Sequence, residues 1–373
     1  MTRGKTTGAR LMLSLGMALW LSLLFLPFRG IKAAAVLFIV LAATIPFSYL
    51  LVRGIRRLTL HFSGLQQHLP NGRILSGILL LAVVLMPFVA QDYIIDIAVI
   101  AGIYIILALG LNVVVGFTGL LNLGFVAFYA IGAYSYALLN TKAGMGFWYA
   151  LPVSVTLATA AGFLLAVPAV RLRGDYLALV TLGFGEIVRL ILNNWDSFTR
   201  GPNGISGIAP PYIFTMPLDR LSHYYYLVLG FVIIAVVVMR RVEDSKTGRA
   251  WVAIREDEIA SAAMGINTTL YKLYSCSFAA FWAGLAGSLF AAKMRFVSPE
   301  SFSFMESVLI LCMVIIGGLG SIVGVIIGAV VLVFLPEVLR EVQMYRMLAL
   351  GCGLVFLMVF RPQGLFGGRN AAS

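Results

Sequence analysis

The sequence predicts an all-α, polytopic integral membrane protein with about ten to twelve helical membrane segments, some of them broken or re-entrant. Three observations carry that prediction. Of 373 residues, 61% belong to the apolar set AVILMFWYC and 11% are charged. A soluble domain is about half apolar and about a quarter charged, and needs those charges to cover its surface. Nearly uncharged runs recur from end to end, most of them near the roughly 20 residues that carry a helix across a bilayer. The polar stretches between the runs reach only about 30 residues, well short of a separate domain. A soluble enzyme, a disordered chain and a disulfide scaffold are excluded together.

The apolar runs fall at 11 to 28, 33 to 52, 74 to 90, 94 to 115, 120 to 139, 147 to 170, 176 to 192, 224 to 239, 273 to 292, 305 to 317, 322 to 336 and 347 to 360. The shortest of them suit half-helices or re-entrant pieces. Between the second and third runs, Ile55, Leu58, Phe62, Leu65 and Leu69 recur at helical spacing, with Arg56, Arg57, Gln66 and Gln67 elsewhere around the turn. This segment is expected to lie along the membrane interface. A long polar loop lies at 240–272.

Basic residues set the orientation, because Lys and Arg concentrate in loops kept on the cytoplasmic side. With the N-terminus inside, the cytoplasmic set is Arg3, Lys5, Arg10, Arg53, Arg56, Arg57, Arg73, Arg171, Arg173, Arg240, Arg241, Lys246, Arg249, Arg255, Lys272, Arg361 and Arg369. The outer set is the smaller one of Arg29, Lys32, Lys142, Arg200, Arg220, Lys293, Arg295, Arg340 and Arg346, with Arg189 inside a span. Both termini are expected in the cytoplasm. The net charge of +12 then follows from topology, and nucleic acid is discounted as a partner. A signal peptide is the other reading of the first run. Leu11 to Phe28 exceeds a usual signal core, and Ala33 to Ala35 begin the next run, which favours retention.

Four features carry functional weight. In the loop at 240–272, residues 249–266 place Val252, Ile259, Ala263 and Ile266 toward one helical face and gather Arg255, Glu256, Asp257 and Glu258, with Gly265 suited to a helix terminus. Such a segment is either a charged connector or a helix that docks into a groove of a cytoplasmic partner. Glycines interrupt two apolar runs, at Gly116, Gly119 and Gly124 and at Gly317, Gly318 and Gly320. Breaks of this kind suit a translocation path, while the spacing of Gly320, Gly324 and Gly328 suits tight helix packing. Asn112, Asn122, Glu186, Arg189 and Glu306 lie in the apolar runs. The two asparagines flank the first break and either satisfy unwound backbone or line the path, and Glu186 and Arg189, three apart, suit an ion pair. Finally, the outer segment TRGPNGISGI at 199–208 is dense in turn formers, fit either for an extracellular partner or for a plain connector.

Absent motifs narrow the chemistry. Gly4-Lys5-Thr6 lacks the upstream glycine of a phosphate-binding loop, and Gly183 and Gly185 do not complete GxGxxG. No HExxH or GxSxG is present. Cys276, Cys312 and Cys352 each sit in an apolar run, without a partner at metal-ligand spacing. His61 and His68 are seven apart with no third ligand nearby. The chain is read as a non-enzyme without metal, and active transport would draw on an ion gradient or a separate subunit.

Taken in order, GFTGLLNLGFVAFYAIGAY (116–134), RLRGDYLA (171–178), TLGFGEI (181–187), GPNGI (201–205), EIASAAMGI (258–266), IGGLGS (316–321) and RPQGL (361–365) resemble the LivM-type permeases of bacterial branched-chain amino acid ABC transporters. The resemblance runs from about Asp92 to Phe366, and the segments before residue 90 are similar to the N-terminal extension of the high-affinity members; it implies an N-terminal extension at 1–90, with about three membrane segments and an interfacial helix, and a permease core at 91–366 whose cytoplasmic coupling loop is 240–272. It implies an ABC importer permease of the bacterial inner membrane. Its implied partners are a homologous second permease, two ATP-binding subunits and a periplasmic binding protein for leucine, isoleucine and valine. The resemblance also implies that this chain binds no cofactor and that ATP sits on the partner subunits. The segment at 258–266 is similar to the family's coupling segment, so Glu258, Ala262 and Gly265, with Arg255 and Asp257 before them, are implied to meet the motor. The usual Glu-Ala-Ala start of ABC importers stands here as EIASA. Candidates for the translocation path are Asn112, Gly116, Gly119, Asn122, Gly317 and Gly318, and for binding-protein docking Gly201, Pro202, Asn203 and Gly204. Permeases for urea or short amides also resemble this sequence; GPNGI and the extension favour amino acids. An ion-coupled secondary transporter would need carboxylates at the midplane, whereas those here lie mostly near span boundaries.

Overall fold

The computed structural model describes residues 84–338, apart from 89, 171, 173, 214, 215, 218 and 219, together with residue 351. The chain divides into two units at Val83 and Val84, and the second holds all described residues. The runs expected at 11 to 28, 33 to 52 and 347 to 360, most of that at 74 to 90, and the interfacial segment lie outside the described residues.

Helix α1 (Asp92–Asn112) passes directly into a π turn, Val113–Phe117, and α2 spans Val126–Thr141. Then follow α3 (Phe147–Ala169), α4 (Asp175–Asn194), the short α5 (Asp196–Thr199) and a 3-10 turn at Gly201–Asn203. Three two-residue strands come next: β1 (Ile205–Ser206), β2 (Tyr212–Ile213) and β3 (Met216–Pro217). After them run α6 (Leu221–Glu243), α7 (Lys246–Glu256), α8 (Glu258–Ala263) and α9 (Thr268–Met294). Strand β4 (Phe296–Val297), a 3-10 turn at Pro299–Phe302, α10 (Phe304–Gly317) and α11 (Ile322–Val338) complete the described chain. Each apolar run expected between 94 and 336 contains a helix, though that at 120 to 139 is helical only from Val126. Among the described residues, five helices are long and apolar enough to span a bilayer, and α10 and α11 are shorter apolar helices.

Small residues decide what sits at the centre. On α9, Ala279, Ala280, Ala283, Gly284, Ala286 and Gly287 are all buried, and the helix packs against α3, α2 and α1. A side chain at Gly132 of α2 would collide with the backbone of Gly284, and one at Gly287 with the backbone of Tyr129. Helices in lipid gain little from apolar burial alone, so backbone approach of this kind supplies the dispersion contacts that hold them together. The outward faces show the reverse: Leu164 on α3 and Leu179 on α4 are 70% and 68% exposed, which hydrocarbon tolerates.

The two ends of the bundle differ. At one, β1 pairs antiparallel with β4, Ile205 opposite Val297, and Lys293 Nζ lies 3.0 Å from Asp96 Oδ1. At the other meet the π turn, the turn between α10 and α11, and the helices α7 and α8. This second end holds Arg240, Arg241, Lys246, Arg249, Arg255 and Lys272, and is called the basic end below.

Candidate functional site

The expected span at 120 to 139 begins late, at Val126, because residues 118–125 leave the helix. Apolar composition alone does not separate an irregular stretch from a helix; what permits it here is that its backbone finds partners. Leu123 N–H donates to Thr181 Oγ1 of α4 (3.1 Å), Gly124 N–H to Asn122 Oδ1 (3.0 Å) and Val126 N–H to Ser307 Oγ of α10 (3.2 Å). Irregular backbone survives in a membrane protein only when satisfied in this way. Asn122 is therefore occupied as a backbone cap.

The end of α1 is satisfied similarly. A helix leaves its last carbonyls without intrahelical donors. Thr118 donates to Val113 O through both N–H (3.2 Å) and Oγ1 (2.9 Å), and Leu120 N–H donates to Val114 O (2.9 Å). Asn112, buried to 1% exposure, accepts the N–H of Gly320 at 2.9 Å, tying α1 to the α10–α11 turn. Gly116 makes that approach possible: a side chain there would strike the Gly320 nitrogen and the Asn112 amide.

The segment at 249–266 is two helices, which corrects the single helical face expected from the sequence. Asp257 has extended backbone (φ −157°) and caps α8 by accepting from Ile259 N–H (2.8 Å) and Ala260 N–H (3.0 Å). Such a cap starts a new helix, so Val252 of α7 does not share a continuous face with Ile259, Ala263 and Ile266 beyond the break. Ser245 caps α7 by accepting from Gly248 N–H at 3.2 Å. Trp251, 2% exposed, anchors α7 by donating to Tyr271 O at 2.8 Å. In contrast α8 shows apolar side chains outward, Ile259 at 71% and Met264 at 83% exposure. Its anchor is Glu258, whose carboxylate lies 2.6 Å from Lys272 Nζ. The Lys272 side chain is only 3% exposed. Ala262 is exposed. Gly265 follows in the left-handed region (φ 86°), with open space where a side chain would stand. Gly265→Ala is thus expected to cost about 1 kcal/mol in backbone strain, read as a small drop in thermal midpoint, with Gly265→Asn closer to wild type.

Arg255 turns into the bundle. Its Nη1 donates to Gly116 O at 2.6 Å, and its Nε (3.3 Å) and Nη2 (2.7 Å) both reach Glu256 Oε1. Its stem lies against Gly119, which has φ 73°; a Cβ there would come 2.8 Å from Arg255 Cγ. The structure therefore joins two groups of candidates that the sequence keeps apart, the loop at 240–272 and the glycine break.

The remaining candidates lie elsewhere. Gly317 packs against the backbone of Gly324, and Gly328 against that of Met313 and Gly317. The packing stripe thus includes Gly317, while Gly320 (φ 82°) belongs to the turn beside Gly318 (φ 111°). Arg189 and Glu186 form an ion pair at 2.9 Å. At the other end, Gly201, Pro202 and Asn203 form the 3-10 turn, and Gly204 fits against the backbone of Val297. The sequence reading misses Thr181, Ser307 and the ion-pair role of Lys272, and it names Gly320 without its bond to Asn112. The break at Asp257 had a signal, an aspartate before a helical run; the others act across long sequence separations and had none.

A bundle of apolar helices with lipid-compatible flanks and a basic, partly apolar end defines an integral membrane protein. Residues 93–360 match the family described as branched-chain amino acid transport system / permease component, and the chain belongs to that family. It is 47% identical to the high-affinity branched-chain amino acid transport system permease protein LivM of Escherichia coli K12, over 77% of this chain and 73% of that protein. The LivM protein of Salmonella typhimurium is 48% identical over the same shares. The LivH permease of Escherichia coli K12 is 24% identical over 71% of this chain and 91% of its own length. No solved structure matches the chain.

Proposed function

We propose that this chain is a permease subunit of an ATP-driven importer that moves leucine, isoleucine and valine across the bacterial inner membrane. The identity of 47% to LivM over three quarters of the chain carries this reading. The more distant likeness to LivH supports pairing with a homologous permease. A periplasmic binding protein delivers the amino acid, and two ATP-binding subunits drive the cycle. The basic end faces the cytoplasm, as do both termini, in keeping with retention of Arg and Lys on that side. The exposed apolar residues Ile259 and Met264 of α8 suit a helix that docks into a groove of the motor. ATP-driven closure of the motor moves α8, and the permease pair switches access between the two sides. The path holds the zwitterion weakly, since a tightly held substrate would not leave.

Uptake of labelled leucine in cells lacking only this gene, with and without the cognate binding protein and with urea in parallel, tests the reading. The expected result is loss of binding-protein-dependent leucine uptake, restored by the gene. Unchanged leucine uptake with lost urea uptake would overturn the substrate.

A further inference from the structure

We propose that Arg255 is a positioning residue that carries the movement of the docking segment into the membrane bundle, by holding the Gly116 carbonyl at the end of α1. The proposal rests on the permease reading above and adds to it the connection by which motor movement reaches the bundle.

Three observations converge on this guanidinium. First, it caps a helix end that needs capping. The Gly116 carbonyl lies in the last turn before the chain unwinds, where the helix dipole is negative and a cation is favoured; Arg255 Nη1 meets it at 2.6 Å. Second, the contact reaches two membrane elements at once. A Cβ on Gly320 would stand 3.3 Å from Arg255 Nη1, and the Gly320 N–H is bound to Asn112 of α1. Movement of Arg255 therefore bears on the end of α1 and on the α10–α11 turn together. Third, the contact lies between an irregularity at the end of α1 and the docking segment. The Val113–Phe117 segment is a π turn, a local departure from α geometry often found at functional sites. On the other side, Arg255 is two residues before Asp257, whose side chain caps α8, so the docking helix and the guanidinium are joined by a short stretch of chain.

The strength of the contact suits a reversible link. The Arg255 side chain keeps 34% exposure, so water competes for the donor, and the contact releases more easily than a buried one. The pair with Glu256 orients the guanidinium edge-on and leaves Nη1 directed at the carbonyl. Lysine would bring a positive charge without that planar fork.

The test uses the complete transporter with its binding protein in proteoliposomes, measuring leucine uptake and ATP hydrolysis together. Arg255→Ala is expected to raise the ATP hydrolysed per leucine imported by about tenfold or more, the scale of one charge-assisted hydrogen bond lost. Gly119→Ala, whose Cβ displaces the Arg255 stem, is expected to raise the same ratio, and the double variant to be no worse than Arg255→Ala alone. Arg255→Lys should fall between Arg255→Ala and wild type. A merely structural role would lower both rates together and leave the ratio unchanged. A ratio within about twofold of wild type in Arg255→Ala overturns the proposal; should that variant not assemble, the same result in Arg255→Lys and Gly119→Ala overturns it. A wild-type transporter that imports no leucine overturns the permease reading, and this link with it.

Discussion

Gly132→Val is expected to leave little folded protein. A Cβ at position 132 meets the carbonyl oxygen, Cα and carbonyl carbon of Gly284, and backbone has no rotamer with which to yield. The axes of α2 and α9 must separate, and α9 is the helix on which α1, α2 and α3 all pack. Overpacking of a core costs about 1–3 kcal/mol where side chains give way. Here nothing gives way, so at least the upper end, about 3 kcal/mol, applies, against a total stability of about 5–15 kcal/mol. Gly230→Ala on α6 is the matched control, because nothing lies within 4 Å of its Cβ. Alanine is favoured over glycine in a helix by up to about 1 kcal/mol, so this variant should hold or gain thermal midpoint. Comparing the yield and melting of the two variants in detergent checks the account. A Gly132→Val protein that melts with wild type would contradict the packing described above.

Glu258→Lys is expected to abolish coupled transport with the protein still in the membrane. Glu258 and Lys272 join α8 to α9, and the Lys272 side chain is almost fully enclosed. Removing one partner of a fully buried ion pair costs about 3–5 kcal/mol, because the other charge stays behind unpaired; Glu258 keeps 30% exposure, which lowers that cost to about 1–3 kcal/mol, and a second cation adds repulsion. Helix α8 has only six residues, too few to hold its place without anchors. It should therefore detach, and proteolysis near residues 257–267 should accelerate. Uptake is expected to fall by about a hundredfold or more, and Glu258→Gln by less. Normal coupled uptake in Glu258→Lys would remove α8 from the motor-docking role proposed for it.

The spans were legible because lipid exposure demands long apolar runs, and this signal is local. The run at 94 to 115 corresponds to a helical stretch that reaches Phe117. The late start of α2 was not legible: Leu120, Leu121 and Leu123 read as membrane helix, and their irregular backbone is held by the distant Thr181 and Ser307 together with Asn122 and the Val114 carbonyl. The ion pair of Glu186 with Arg189 was legible from spacing. Arg255 was not: beside Glu256, Asp257 and Glu258 it reads as part of a solvated charge cluster. Its partner carbonyl at Gly116 lies 139 positions away and belongs to the backbone, which leaves no mark in the sequence.

The function proposed for this chain is to move branched-chain amino acids, as one of a pair of permeases, at the expense of ATP hydrolysed by separate subunits. The most direct measurement is accumulation of labelled leucine in proteoliposomes that contain this chain, its homologous permease and the ATP-binding subunits, with binding protein on the outer face and ATP on the other. Accumulation that needs both ATP and binding protein, and that vanishes when this chain is left out, is the result expected. Accumulation driven by an ion gradient without ATP, or undiminished in the absence of this chain, would contradict it.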